Sequence, residues 1–119
     1  MLYPSQLKRS NLNQEIATTA IQAALDAGIR EFCICPGGRC YPLLILLKQL
    51  SSVKTYYFFD ERSASFFALG RAQASRRPVA IITTSGTATA HLLAAAMEAH
   101  YTNIPLIMMT ADRPRRFRG

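Results

Sequence analysis

Four short apolar runs, each ending in a polar or glycine-containing turn and each separated from the next by a helix-type pattern, constrain this chain most. They are Phe32-Cys33-Ile34-Cys35, Thr55 to Phe59, Pro78-Val79-Ala80-Ile81-Ile82-Thr83 and Pro105-Leu106-Ile107-Met108-Met109. The runs are continuous rather than alternating, the pattern of strands buried on both faces. Ahead of the first run, Ile16, Ala17, Ala20, Ile21, Ala24 and Leu25 recur at helical spacing. Asn11 with Gln14 supplies a start signal for that helix and Gly28 a stop. Pro42 suits the first turn of a second helix through Leu43, Leu44, Leu46 and Leu47. Further helices are expected over Arg62 to Ser75 and Thr87 to Tyr101. Such alternation predicts an α/β fold, a three-layer αβα arrangement with a parallel sheet covered by helices on both faces.

Parallel strands place the turns that follow them along one edge of the sheet, where open α/β sheets bind ligands. Those turns are Pro36-Gly37-Gly38-Arg39, Asp60-Glu61-Arg62, Thr84-Ser85-Gly86-Thr87 and Ala111-Asp112-Arg113-Pro114. The first can cradle an anion, through close backbone approach at the glycines and the guanidinium fork of Arg39. It also reads as a plain strand–helix turn, and the hydroxyls of the third turn also read as helix caps. Asp60 suits an N-cap. Glu61 stands between the Phe58–Phe59 and Phe66–Phe67 pairs, where apolar surroundings would disfavour an ionised carboxylate. Asp112 and Arg113 could equally form a surface ion pair of little energetic weight. The opposite edge offers only Asp26-Ala27-Gly28 and Arg76-Arg77-Pro78. Neither a P-loop nor G-x-G-x-x-G is present.

A length of 119 residues fits one domain, and 50% hydrophobic with 18% charged residues is globular composition. No apolar run approaches the roughly 20 residues of a membrane-spanning helix. Met1 to Arg9 lacks the apolar segment of a secretory signal, so a cytoplasmic protein is expected. Of the formal net charge of +7, four charges come from Arg113, Arg115, Arg116 and Arg118. The other cations are scattered without aromatic interleaving, which argues against nucleic acid as a partner. Cys33, Cys35 and Cys40 are odd in number and lack a second ligand pair, so neither a disulfide framework nor a zinc site is expected. Cys33 and Cys35 read as small apolar residues on one side of a strand, and Cys40 as a side chain exposed at a pocket. His91 reads as packed or exposed rather than a ligand, and His100 as a helix-end residue.

Taken together, Cys35-Pro36-Gly37-Gly38-Arg39, Phe59-Asp60-Glu61-Arg62-Ser63-Ala64, Thr84-Ser85-Gly86-Thr87-Ala88 and Thr110-Ala111-Asp112-Arg113-Pro114 carry a resemblance. From Asn11 to Pro114 the chain resembles the N-terminal pyrimidine-binding domain of the thiamine-diphosphate-dependent 2-succinyl-5-enolpyruvyl-6-hydroxy-3-cyclohexene-1-carboxylate (SEPHCHC) synthase family. The resemblance implies an N-terminal segment over residues 1–10 and a partial pyrimidine-binding domain over residues 11–119, ending after the fourth strand. It implies that Glu61 hydrogen-bonds N1′ of the cofactor's aminopyrimidine and promotes the tautomer that activates the thiazolium. Thr84, Ser85, Gly86 and Thr87 would form part of the pyrimidine pocket wall. Gly38, Arg39 and Arg113 would lie against substrate, with Arg39 on a carboxylate. The reaction implied is decarboxylation of 2-oxoglutarate and addition to isochorismate, in menaquinone biosynthesis.

Two departures qualify the resemblance. Gly38 stands where the family usually has serine, removing a substrate-contacting hydroxyl. The central and pyrophosphate-binding domains, which carry the Mg2+ and diphosphate ligands in the family, are absent from these 119 residues. The expectation is therefore the N-terminal portion of a synthase, inactive alone and completed by a homo-oligomer or a second chain. The alternative is a non-catalytic ligand-binding or interaction module derived from that domain. A flavodoxin-like nucleotide binder is a third reading, weakened by the missing phosphate loop.

Overall fold

In the computed structural model, which describes residues 12–117, four parallel strands pair in the order β2-β1-β3-β4. The strands are β1 (Glu31–Ile34), β2 (Lys54–Tyr57), β3 (Val79–Thr83) and β4 (Leu106–Thr110). The helices are α1 (Leu12–Asp26), α2 (Tyr41–Lys48), α3 (Glu61–Ser75), α4 (Thr87–Ala90) and α5 (Leu93–Thr102), with 3-10 turns at Gly38–Cys40 and Arg115–Phe117. The Asn11 start signal lies outside the described residues. The stop at Gly28 is present: at φ +88° it lets its own N–H reach the Leu25 carbonyl and that of Ile29 reach Ala24.

The period-2 alternation of the strands sorts the core into two layers. Phe32, Ile34, Ala80 and Ile82 face α1 and α2, meeting Ile21, Ala24, Leu44 and Leu47. Cys33, Val79 and Ile81 face the other way, toward Ala68, Ala72 and Leu92. All five β3 residues are buried, as expected of a central strand in a three-layer fold. The alanines of α3 allow that helix to lie close over β1 and β3. The expected α/β architecture is therefore observed.

Three local expectations need correction. The second strand was expected to be a buried run through Phe59, but β2 ends at Tyr57 and its residues are half-buried or exposed. It is an edge strand with one hydrogen-bonded neighbour, and Phe59 beyond it is fully exposed. The helix expected over Thr87 to Tyr101 is interrupted at His91-Leu92. There the Leu92 N–H bonds back three residues to Thr89, tightening the turn, and the Leu92 side chain is buried. Cys40 is not exposed at a pocket. It is fully buried under α2, with its sulfur 3.2 Å from both the amide nitrogen and the carbonyl oxygen of Gly37.

At the amino-terminal edge, Glu31 receives two bonds from the Arg71 guanidinium, at 2.8 and 2.7 Å, and one from the Tyr56 hydroxyl at 3.2 Å. This cluster ties α3 to β1 and β2, and the guanidinium hydrogen bond holds the Glu31 carboxyl below its ordinary range. The four turns that follow the strands lie at the opposite edge.

Candidate functional site

Strand register fixes how the four turns line up. Ile34 is level with Tyr57 on one side and Ile82 on the other, and Thr83 is level with Thr110. The ladder runs one residue further at each junction. Cys35 donates to the Ile82 carbonyl, Phe58 to Ile34 and Ala111 to Thr83, each at 2.9 Å. The four turns therefore leave the sheet at one level. Across it they fall in the order Glu61 turn, Gly37–Arg39 turn, Thr84–Thr87 turn, Arg113 turn.

The chain turns from β1 toward α2 on one face and from β3 toward α4 and α5 on the other. That reversal makes the β1/β3 junction the switch point, the usual ligand crevice of such sheets. The two turns touch there. A Cβ on Gly37 would fall 2.9 Å from the Thr84 Cβ and 3.1 Å from its Cγ2, so only glycine leaves Thr84 its place. Gly86, at φ +74° and ψ −132°, occupies backbone space that L side chains rarely enter. It caps α4 without any side-chain hydrogen bond. The capping reading of the third turn is thus not what the structure shows. The Ser85 hydroxyl is buried with no hydrogen-bond partner among the described residues.

Asp60 is the N-cap of α3, accepting from the Ser63 N–H at 3.0 Å and from its hydroxyl at 2.6 Å. These bonds hold the Asp60 carboxyl below its ordinary range. Glu61 is thereby free of the capping role. It is half-buried and occupies the first helical position, on the face carrying buried Ala64, Ala68 and Ala72. That face lies over the sheet, whereas Arg62 and Ser63 are exposed. Burial pushes the Cys35 thiol at the end of β1 up to about 11, and Glu61 then Asp60 add to the shift. Both carboxylates therefore act on the first turn.

The aromatic pairs expected around Glu61 do not form as one enclosure. Phe58 packs on Phe67 at 5.1 Å between ring centroids, and Tyr56 packs on Phe67 at 5.0 Å. Phe59 and Phe66 point to solvent. An edge strand has no second neighbour to hold the end of an aromatic run.

Arg39 and Arg113 are both exposed at the carboxyl edge. The Arg113 backbone N–H donates to the Asp112 carboxylate at 2.6 Å. The Glu61 and Arg113 turns follow opposite edge strands, about 14 Å apart at three strand spacings. Glu61, Gly38 and Arg39 are on neighbouring turns, and Arg113 is not beside them. A Cβ on Gly38 would meet nothing within 4 Å. Among the described residues no group of three or more His, Cys, Asp or Glu side chains could hold a metal ion. No described helix is long and apolar enough to cross a membrane. His91 and His100 are exposed, the latter edge-on to Tyr101.

Contact between Gly37 and Thr84 was not legible beforehand, although the paired glycines were its only available signal. The inward placement of Glu61 could have been read from its spacing to Ala64, Ala68 and Ala72.

Comparison with known proteins agrees with this fold. Residues 15–119 match the family described as thiamine pyrophosphate enzyme, N-terminal TPP binding domain. SEPHCHC synthase from Bdellovibrio bacteriovorus is 53% identical over 107 residues, covering 90% of this chain and 20% of that protein. The Bacillus pumilus synthase is 45% identical over 111 residues, covering 90% and 19%. The Synechocystis synthase is 42% identical over 109 residues, covering 92% and 18%. The chain thus spans about a fifth of the length of these relatives. Among solved structures, benzoylformate decarboxylase from Polynucleobacter necessarius superposes with a TM-score of 0.72 over 90% of this chain and 19% of that one. At 19% identity this shows a shared fold. The chain therefore belongs to the thiamine pyrophosphate enzyme family, as an N-terminal TPP binding domain similar to that of the SEPHCHC synthases.

Proposed function

We propose that this chain supplies the aminopyrimidine-facing half of a thiamine diphosphate site in a SEPHCHC synthase. The observation that carries the reading is Glu61 itself. Its neighbour Asp60 performs the capping, leaving Glu61 on the sheet-facing side of α3 at the ligand edge. The residues fit the group. The orphaned Ser85 hydroxyl, the glycine-only backbone at Gly86 and the close Gly37–Thr84 approach give a pocket wall with unspent polar capacity.

In this reading Glu61 exchanges a proton with the ring nitrogen N1′ of the aminopyrimidine, and the half-buried position limits competition from water. Residues Thr84, Ser85, Gly86 and Thr87 form the wall that orients the ring. Arg39 binds a substrate carboxylate beside the Gly38 turn, and Arg113 contributes charge from the far side of the crevice. Bound thiamine diphosphate would supply the carbon chemistry, decarboxylation of 2-oxoglutarate and addition to isochorismate. Mg2+ and the diphosphate would be held by parts of the synthase outside these 119 residues, in the cytoplasm. The domain would run from residue 11 to 119 after a short N-terminal segment.

One observation favours a second reading. The open space at Gly38, where serine is usual in the family, removes a substrate-positioning hydroxyl and suits a domain that binds ligand without turnover.

A chimaera separates the two. The 119 residues replace the matching segment of the Bdellovibrio bacteriovorus synthase, and product is assayed from 2-oxoglutarate and isochorismate. The catalytic reading expects turnover dependent on thiamine diphosphate. A folded, cofactor-binding chimaera without turnover would establish the binding module instead.

A further inference from the structure

Two adjacent glycines make the first turn soft, because Gly37 and Gly38 leave the backbone more conformations than residues with side chains would. Gly37 is extended, at φ −160° and ψ 158°, so no special backbone geometry locks it. A Cβ on Gly38 would meet nothing within 4 Å, so no neighbour confines that residue closely. Arg39 follows directly, exposed at the ligand edge, and the reach of its guanidinium depends on the path of this turn. A constraint from outside the two glycines is needed to fix that path.

The Cys40 side chain supplies one. It is fully buried and packs in the layer that holds Ile34, Leu44 and Leu47. The Gly37 N–H donates to its sulfur at 3.2 Å, and the thiol donates to the Gly37 carbonyl, also at 3.2 Å. The Cys35 carbonyl, at 3.8 Å, is a second acceptor for the same hydrogen. The Cys40 N–H adds a bond of 3.1 Å to the Gly37 carbonyl. Both polar groups of Gly37 are thus tied to one core residue. Burial holds the thiol above its ordinary range, so it keeps the proton that it donates. Each sulfur bond is weak by itself. Their effect comes from closing on both ends of one residue in a segment that is otherwise free to move. Gly37 is also the residue that abuts Thr84, so the same tie sets the approach of the third turn.

We infer that Cys40 is a positioning residue: its thiol bridges the N–H and C=O of Gly37 and so fixes the turn from which Arg39 meets ligand. The bridge is independent of the cofactor reading, whereas its effect on substrate rests on that reading.

Cys40→Ser and Cys40→Ala separate bonding from packing, because serine and alanine are close in volume and only serine can bridge Gly37. Amide exchange in the 119-residue chain reads the bridge. In Cys40→Ala the Gly37 amide should exchange at least about tenfold faster relative to the Ile81 amide of β3, and Cys40→Ser should recover most of that protection. The Ile81 amide reports whether each variant remains folded. The Bdellovibrio bacteriovorus chimaera reads the effect on Arg39. There Cys40→Ala should raise KM for a substrate about fivefold or more with kcat within about twofold, and Cys40→Ser should restore it. An unchanged Gly37 amide in Cys40→Ala, or equal loss with serine and alanine, would overturn the bridge. An unchanged KM in a chimaera that turns over would overturn the link to Arg39. A chimaera without turnover even with Cys40 in place would speak for the binding module, and the exchange result would still decide the bridge.

Discussion

Replacing Gly37 with alanine tests the geometry on which the site depends. The added methyl would sit 2.9 Å from the Thr84 Cβ, 3.1 Å from its Cγ2 and 3.4 Å from its Oγ1. Favourable carbon–carbon contact needs about 3.5–4.0 Å, so the first and third turns must separate by roughly 0.6 Å or more. Backbone conformation adds nothing, because Gly37 has φ −160° and ψ 158°, extended values open to any residue. The cost is therefore overpacking alone, about 1–3 kcal/mol. For a domain of this size that corresponds to a fall in Tm on the order of 4–12 °C. Urea denaturation of Gly37→Ala, Thr84→Gly and the double variant measures it. Removing the Thr84 side chain should relieve the clash, giving a coupling of about 1 kcal/mol or more in the double-mutant cycle. A neutral Gly37→Ala, or strictly additive effects, would refute the claim that these two turns abut.

Other perturbations follow from the same structure. Arg76 holds a left-handed conformation at φ 54° after α3, so Arg76→Gly should stabilise by about 0.5–1 kcal/mol, read as a higher urea midpoint. Gly86→Ala should cost about 1–3 kcal/mol through its positive φ, whereas Gly38→Ser, with open space around its Cβ, should fold with stability unchanged. Glu31 has a folded-state pKa below its unfolded value, so its contribution is present above pH ~4.5 and is lost as pH falls through the folded value. Arg71→Met should therefore flatten the loss of stability between about pH 5 and 3, and an unchanged pH profile would contradict the pairing. The 119-residue chain mixed with thiamine diphosphate, Mg2+ and both substrates should give no product. Robust turnover would overturn the proposal that other parts of the assembly are needed.

Much of the fold was legible because its signals are local. Continuous apolar runs mark β1 and β3, Gly28 ends α1, Pro42 opens α2, and Asp60 caps α3. What was not legible depends on tertiary neighbours. An aromatic run such as Tyr56 to Phe59 reads as buried strand, yet β2 lies at the edge of the sheet, where among the described residues nothing covers Phe59. No proline or glycine marks the break at His91-Leu92, which accompanies burial of Leu92 in the layer beneath α3. Cys40 went inward because the 3-10 turn before α2 rotates it under the helix. The candidate site was legible as four turns on one edge. Its internal distances were not, since strand order decides that Glu61 neighbours the Arg39 turn and stands remote from Arg113.

The central claim is that the Glu61 carboxyl handles a proton that the reaction requires. Its direct test compares the Bdellovibrio bacteriovorus chimaera carrying Glu61 with its Glu61→Gln and Glu61→Asp variants, measuring kcat alongside thiamine diphosphate binding. Gln preserves size and hydrogen bonding but cannot exchange the proton, so kcat should fall by about 10²–10⁴ with the chimaera folded and cofactor still bound, and Asp should recover part of that loss. A Glu61→Gln chimaera that keeps its kcat within a few-fold would contradict the account.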